Sequence, residues 1–403
     1  MTHHVNDVPG LLAEPKVFYR KQWLGETGAY AWEWINAFGH MPADERKGLL
    51  LHGGTPAQLY LAKQQRLSRD VDLIGYEHAR IERVLDGVAA RYEGRLFRWE
   101  EVPVEGADID LQRFSAYFAN SAGDAIPLRI EVTYLSVTLD TSPVRLEQSV
   151  VYKPLNSDDV VETLTPQAFI ADKLPTLGFD TLGYRRVPDV LGHSEHIWKQ
   201  LHDLSGLVGA VTDLARVPHL YEESIRARNA ARGLAHPPDA CLEDAWRVAM
   251  IALAAAVYPY HEDRPSDEHY VRDVEHVRSG SGRYQAHLMG AAMLLDDATR
   301  VALLARGLLA VRRREITVAE LAATFAHSAD LASAFAGSPT LRVALKARFD
   351  TASSPEGWDA PVSSRRLYRS RISAAITAWL AANVRSEVRH LGATGRFTFE
   401  PAG

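Results

Sequence analysis

Leu49-Leu50-Leu51-His52-Gly53-Gly54-Thr55 is a short apolar run that stops at a glycine pair, and Arg66-Leu67-Ser68-Arg69-Asp70-Val71-Asp72-Leu73-Ile74-Gly75 follows a little further on. The first stretch reads as a buried strand entering a tight turn, and Val71 to Ile74 as a second strand closed by Gly75. Ala57 to Lys63 between them reads as a short helix. Working outward, His78 to Tyr92 places Ile81, Val84, Leu85 and Val88 at helical spacing. Leu128 to Tyr134 alternates apolar and polar residues, the pattern of a half-buried strand. Strands interleaved with helices predict an α+β domain, a mixed sheet flanked by helices.

From Thr165-Pro166 the pattern turns helical, since proline in the first turn sacrifices no hydrogen bond. Helices are expected over 166–177, 194–209, 211–232, 241–257, 284–310, 317–335, 339–349 and 367–389, with one strand at Arg396 to Phe399. This divides the chain into a sheet domain over 1–157 and a large helical region over 158–403. Within the latter, two parts are expected, 158–235 and 236–403. Breaks fall at His236-Pro237-Pro238 and Ser353-Ser354-Pro355-Glu356-Gly357.

The chain has 403 residues, and at about 100–200 residues per domain it holds two or three. With 46% hydrophobic and 24% charged residues it has the composition of an ordinary globular protein. A net charge of -6 excludes a protein coated in basic residues for unspecific nucleic-acid binding, although it permits a local basic groove. The single cysteine, Cys241, rules out an intrachain disulfide and fits a reducing cytoplasm. The start, Met1 to Asp7, lacks the basic and apolar segments of a secretory signal. The greasiest stretch, Val248 to Tyr258, falls short of the ~20 residues a bilayer needs, so no membrane role is expected.

Residues i and i+2 of a strand share a face, so Asp70 and Asp72 point the same way. Paired carboxylates on one face suit hard divalent cations, Mg²⁺ or Mn²⁺, of the kind that neutralise the phosphates of a nucleoside triphosphate (NTP) during nucleotidyl transfer. Glu131, in the alternating strand, is the best-placed third carboxylate. Gly53 and Gly54 allow close backbone approach to a phosphate, and a helix after them presents free N–H groups. Thr55, Arg66 and Ser68 add donors for the same oxygens. Taken singly each of these features is commonplace, a turn, a strand end or a surface glutamate. Their order along the chain is what points to a site.

The string Gly53-Gly54-Thr55 … Arg66-Leu67-Ser68-Arg69-Asp70-Val71-Asp72-Leu73 resembles the core signature of the AbiEii/AbiGii-type nucleotidyltransferase toxins, within the DNA polymerase β-like superfamily. Phe169-Ile170-Ala171-Asp172-Lys173-Leu174 is similar to that family's lysine helix, and Lys199-Gln200-Leu201-His202-Asp203-Leu204 to its later aspartate motif. Lys199 stands where arginine is usual and Gln200 where aspartate is usual. The resemblance covers about residues 45–210. It implies that Lys173 contacts the triphosphate and that Asp203 belongs to the active site. It further implies a bacterial toxin–antitoxin or phage-defence role, a cognate antitoxin, and an RNA acceptor, often the tRNA 3′ end. Rival readings are a small-molecule or protein acceptor, or a catalytically silent member acting as a binding subunit.

His193, His196 and His202 cluster near Asp203, but their spacing matches no usual zinc pattern, and capping or surface roles are expected. Arg312-Arg313-Arg314 and the group Arg365, Arg366, Arg369 and Arg371 are either solvated faces or phosphate contacts for an RNA. Trp23, Trp32 and Trp34 are expected in a core.

Overall fold

The computed structural model describes residues 22–61, 68, 70–76, 81–91, 96–104, 110–119, 123–135, 139–148, 158–183, 193–211, 213–257, 291–322 and 325. Arg66, the four arginines between 365 and 371, the helices expected over 339–349 and 367–389 and the strand at 396–399 lie outside them. The described residues fall into two compact units, one within Met1–Phe169 plus Ala227–Leu234, the other within Ile170–Arg226, Ala235–Tyr284 and Leu288–Gly403.

The first unit is built on a seven-stranded mixed sheet. Its elements are α1 (Gln22–His40), β1 (Leu49–His52), α2 (Gly54–Leu59), β2 (Asp70–Gly75), α3 (Ile81–Arg91), β3 (Leu96–Val102), β4 (Leu111–Ala119), β5 (Ala125–Tyr134), β6 (Thr141–Arg145) and β7 (Val160–Leu164). The strand order is β3-β4-β5-β2-β1-β7-β6. Strand β2 runs parallel to β5 and β1 parallel to β7, and the remaining neighbours are antiparallel.

Period-two alternation sorts the strand residues between the two faces. On one face Leu49, Leu51, Val71, Leu73, Leu128, Ile130, Val132, Phe114, Ala116 and Phe118 are buried and join Tyr30, Trp34 and Phe38 of α1 and Val84, Leu85 and Val88 of α3 in a single core. Tyr30 stacks on Phe118 and Trp34 on Phe38, with ring centroids 5.0 and 5.4 Å apart. Trp32 and Trp34 are therefore core residues, as expected. The side chain of Trp23 lies outside the described residues. The opposite face of β1, β2, β5 and β4 carries His52, Asp70, Asp72, Arg129, Glu131 and Arg113.

Two boundaries differ from the sequence expectation. Helix α2 begins at Gly54 rather than Ala57, because Gly53 turns the chain into a helix at once. Strand β7 lies beyond the boundary expected at 157/158. It is held to β1 by its register, Leu51 opposite Thr163, and by the Thr163 hydroxyl, which donates to the Leu51 carbonyl at 2.7 Å. The sheet is thus complete only at Leu164. Helix α4 (Pro166–Lys173) starts where Thr165-Pro166 predicts, with the Thr165 hydroxyl accepting from the Ala168 N–H at 3.2 Å as an N-cap.

The second unit is helical among its described residues. It contains a 3₁₀ turn at Leu174–Leu177 and the helices α5 (His193–Ala210), α6 (Val217–Arg232, whose last turn belongs to the first unit), α7 (Pro238–Val257) and α8 (Ala291–Arg312). Helices α7 and α8 pack extensively, α5 packs on α8, and the 3₁₀ turn on both α5 and α7. Leu201, Leu204, Leu242, Val248, Leu303, Leu304 and Leu308 fill this core. Asp244 on α7 fastens the loop after the 3₁₀ turn, accepting from the Asp180 N–H at 2.8 Å and the Thr181 hydroxyl at 2.9 Å. No helix among the described residues is long and apolar enough to cross a membrane.

Candidate active site

The polar sheet face is assembled by register. Antiparallel pairing sets His52 opposite Asp72, parallel pairing sets Asp72 opposite Glu131 and Asp70 opposite Arg129, and antiparallel pairing sets Arg113 opposite Glu131. A row His52–Asp72–Glu131–Arg113 therefore crosses β1, β2, β5 and β4, with Asp70 and Arg129 in the neighbouring row. Directly opposed side chains lie close enough to interact, so the three expected carboxylates are gathered on one face.

Their charges are not left bare. The Arg129 guanidinium donates to Asp70 Oδ2 at 2.5 Å, and its Nε lies 3.8 Å from Glu131 Oε1. Arg113 approaches Glu131 Oε1 through Nη2 at 2.7 Å and Nε at 2.8 Å. The Ser68 hydroxyl donates to Asp70 Oδ1 at 2.6 Å, so it orients that carboxylate from a buried position. For Arg129, burial works against the charge, but Asp70, Glu131 and Asp72 outweigh it and raise its pKa above the ordinary guanidinium value.

Gly53 completes the face. Its φ of +80° lies in the left-handed region, and a Cβ built on it would run into the Asp72 carboxylate. Both conditions demand glycine, so the turn after β1 is what lets the backbone come down beside Asp72. Thr55 follows in the first turn of α2. The His52 ring stacks on Phe169, with centroids 5.8 Å apart.

The second unit holds a different polar cluster. Lys173, at the end of α4, donates through Nζ to Asp203 Oδ2 at 3.0 Å and to Gln200 Oε1 at 3.2 Å. The lysine side chain is 5% exposed and the aspartate 0%. Gln200 and Asp203 are three apart on α5 and so share its face. One turn of α5 thus presents two oxygens to one ammonium, one from a carboxylate and one from an amide. Beside them, His202 is buried, and its Nδ1 lies 2.6 Å from Asp297 Oδ2 of α8. The expected surface or capping role for His202 is thereby corrected, because its side chain is turned into the core between α5 and α8. The side chains of His193 and His196 lie outside the described residues.

The family model described as nucleotidyl transferase AbiEii toxin, of type IV toxin–antitoxin systems, matches residues 40–306, more than half of the chain. The protein belongs to the AbiEii toxin family. As an AbiEii member it is a nucleotidyltransferase, and the mixed sheet flanked by helices is the fold expected for it. Among solved structures, an antigenic nucleotidyltransferase-like protein from Paracoccidioides brasiliensis aligns at 12% identity and a TM-score of 0.27, over 54% of this chain and 99% of its own. No curated protein matches the chain.

The donor set of this AbiEii chain fits a hard divalent cation. Asp70, Asp72 and Glu131 are oxygen donors on one face, in register, beside a glycine that no larger residue can replace. Among the described residues, however, no three such groups already converge closely enough to hold an ion. Arg129 reaches into the position between Asp70 and Glu131.

Several functional-looking residues escaped the sequence. Arg129 sits two positions before Glu131 in a strand whose alternation is legible, so its face was readable although its partner was not. Arg113 and His52 join the face only through register. Arg312 and Arg313, read as either a solvated face or RNA contacts, are respectively half-buried and exposed, and both pair with acids of their own unit. Arg312 pairs with Asp239 at 2.6 Å and with Glu222, and Arg313 with Glu243 at 2.5 Å.

Proposed function

We propose that the polar face of the sheet binds Mg²⁺ and the triphosphate of an NTP, and that the enzyme moves the nucleoside monophosphate to an RNA acceptor, the tRNA 3′ end. The observation that carries this reading is the register that sets Asp72 opposite Glu131 on the face already shared by Asp70. A bound divalent cation would neutralise phosphate charge and align the attacking and leaving oxygens. Asp70, Asp72 and Glu131 are the residues to hold it. Ser68 orients Asp70, and Gly53 keeps the space beside Asp72 open.

Gly53, Gly54 and Thr55 bring backbone N–H groups and a hydroxyl to the phosphates, and Arg66 adds a positive charge. Following the family's pattern, Lys173 contacts the triphosphate, and Asp203 with Gln200 holds the ammonium in place. The acceptor hydroxyl forms a bond to the α-phosphorus, the bond to the α–β bridging oxygen breaks, pyrophosphate leaves with its electron pair, and the hydroxyl proton is released. The stretch 158–235 completes the active site, and the helices expected within 236–403 serve the acceptor and a cognate antitoxin. The setting is a bacterial cytoplasm and, in defence, a phage-infected cell.

The test is incubation of the purified protein with each labelled NTP and total RNA, with and without Mg²⁺. Label transferred to tRNA only with the metal, and lost in Asp72→Asn, is the expected result. Label on a protein or small molecule instead would replace the acceptor. No transfer to any acceptor would sink the reading.

A further inference from the structure

Three carboxylates on the polar face, Asp70, Asp72 and Glu131, stand against two guanidiniums, Arg129 and Arg113. Among the described residues these five side chains together carry one net negative charge. If a divalent cation replaced Arg129, the sum would be zero, whereas adding the cation with Arg129 in place would leave a surplus of positive charge. The two arginines also differ in how they are held. Arg113 grips one oxygen of Glu131 through two nitrogens. Arg129 makes a single close contact with Asp70 and a distant one with Glu131, and its side chain is 49% exposed. Of the Arg129–Asp70 pair only the guanidinium is half-exposed, so water solvates the arginine once it separates while Asp70 stays buried. A long, flexible side chain half in solvent has room to swing out.

We propose that Arg129 is a positioning residue that keeps Asp70 and Glu131 in place as a built-in counter-ion and surrenders them to the divalent cation. This rests on the metal-binding reading of the same face. In the empty state the guanidinium screens carboxylates that would otherwise repel one another and turn apart. On metal entry Arg129 leaves, and Asp70 and Glu131, already on one face, are freed to close onto the ion. The exchange makes the site self-limiting, since metal must compete with an internal cation.

The test is Mn²⁺ binding to the full-length protein without nucleotide, read from the free-ion electron paramagnetic resonance signal. Removing the competitor in Arg129→Gln should tighten binding about three- to tenfold, the size expected for losing one partly screened charge competitor. The melting temperature of Arg129→Gln should fall without metal and recover more with Mn²⁺ than that of the wild type, because stabilisation by a ligand grows with the logarithm of its affinity. Arg129→Lys should bind between the two. A merely structural ion pair would lower the melting temperature and leave the Mn²⁺ affinity where it was. Equal affinity in wild type and Arg129→Gln overturns the exchange but leaves the metal site standing. Binding no stronger than in Asp72→Asn, in every variant, overturns both. Should Arg129→Gln fail to fold, the wild type decides alone through labelling with phenylglyoxal, an arginine reagent, read residue by residue by mass spectrometry. Mn²⁺ should increase the adduct at Arg129, and unchanged or reduced labelling overturns the proposal.

Discussion

Two ion pairs built from the same chemistry sit in opposite environments. On the sheet, Arg129 and Asp70 meet with side chains 49% and 11% exposed. In the helical unit, Lys173 and Asp203 meet with 5% and 0% exposed. Solvent reaches the arginine of the first pair, so that partner has room to leave while Asp70 stays buried. The second is buried, and losing either partner would leave the other charge without its counter-ion in a poorly solvated place. The sheet cluster is therefore suited to a changing population of ions, and the helical cluster to holding one ammonium in one place.

The comparison can be broken most directly at the buried pair. Asp203→Ala should destabilise the protein by about 3–5 kcal/mol, the cost of stranding a buried charge, measured by urea unfolding. A loss below about 1 kcal/mol would show that water reaches Lys173 and that the two clusters are alike. At the sheet the large effect should fall on turnover instead. Asp72→Asn should lower nucleotidyl transfer on the order of 10²–10³-fold, about 3–4 kcal/mol in the barrier. Its melting temperature should hold or rise, since one repelling carboxylate is gone. A cooperative loss of fold in this variant would make Asp72 a structural residue.

Gly53→Ala sharpens the contrast further, because it changes shape rather than charge. The positive φ and the approach to Asp72 should cost about 1–3 kcal/mol in stability, and activity should fall with it as Asp72 is pushed aside. Full activity would mean that the turn tolerates a Cβ. Ser68→Ala should cost less, about 1–2 kcal/mol for a lost hydrogen bond to a carboxylate. Circular dichroism melts and a turnover assay would show whether Asp70 loses its orientation along with that stability.

A pH-dependent effect lies in the helical unit. Burial pushes the Cys241 thiol up to about 11, with a hydrogen bond to Thr181 working the other way. Between about pH 9 and 11 the unfolded thiol has lost its proton while the folded one keeps it, so stability falls as pH rises through that window. Comparing wild type with Cys241→Ala across it should reveal a decline present only in the wild type. Parallel pH profiles would place the thiol in contact with water.

Several elements were legible because local rules suffice for them. Thr165-Pro166 announces α4, the 128–134 alternation announces β5, and the Ile81, Val84, Leu85, Val88 spacing announces α3. Strands β3, β4, β6 and β7 were not read. The alternation of β4, with Phe114, Ala116 and Phe118 buried, was present in the sequence, but β6 and β7 are five residues each and too short to show a period. Helix α1 hides for another reason. Nearly every residue from Tyr30 to Phe38 is buried, Glu33 and Asn36 included, so no polar face marks its period.

For the candidate site, the sequence by itself determined that Asp70 and Asp72 share a face, that Glu131 lies on an alternating strand, and that a glycine turn precedes them. Each is a property of one segment and follows from the two-residue repeat of the extended chain. Only the tertiary structure decided which strands are neighbours. Parallel pairing of β2 with β5, across three intervening elements, brings Glu131 opposite Asp72 and Arg129 against Asp70. Burial on α5 makes Gln200 and Asp203 the cradle of Lys173. Register and burial are relations between segments, set by the shared core on the other side of the sheet and between the helices, and no single segment encodes them.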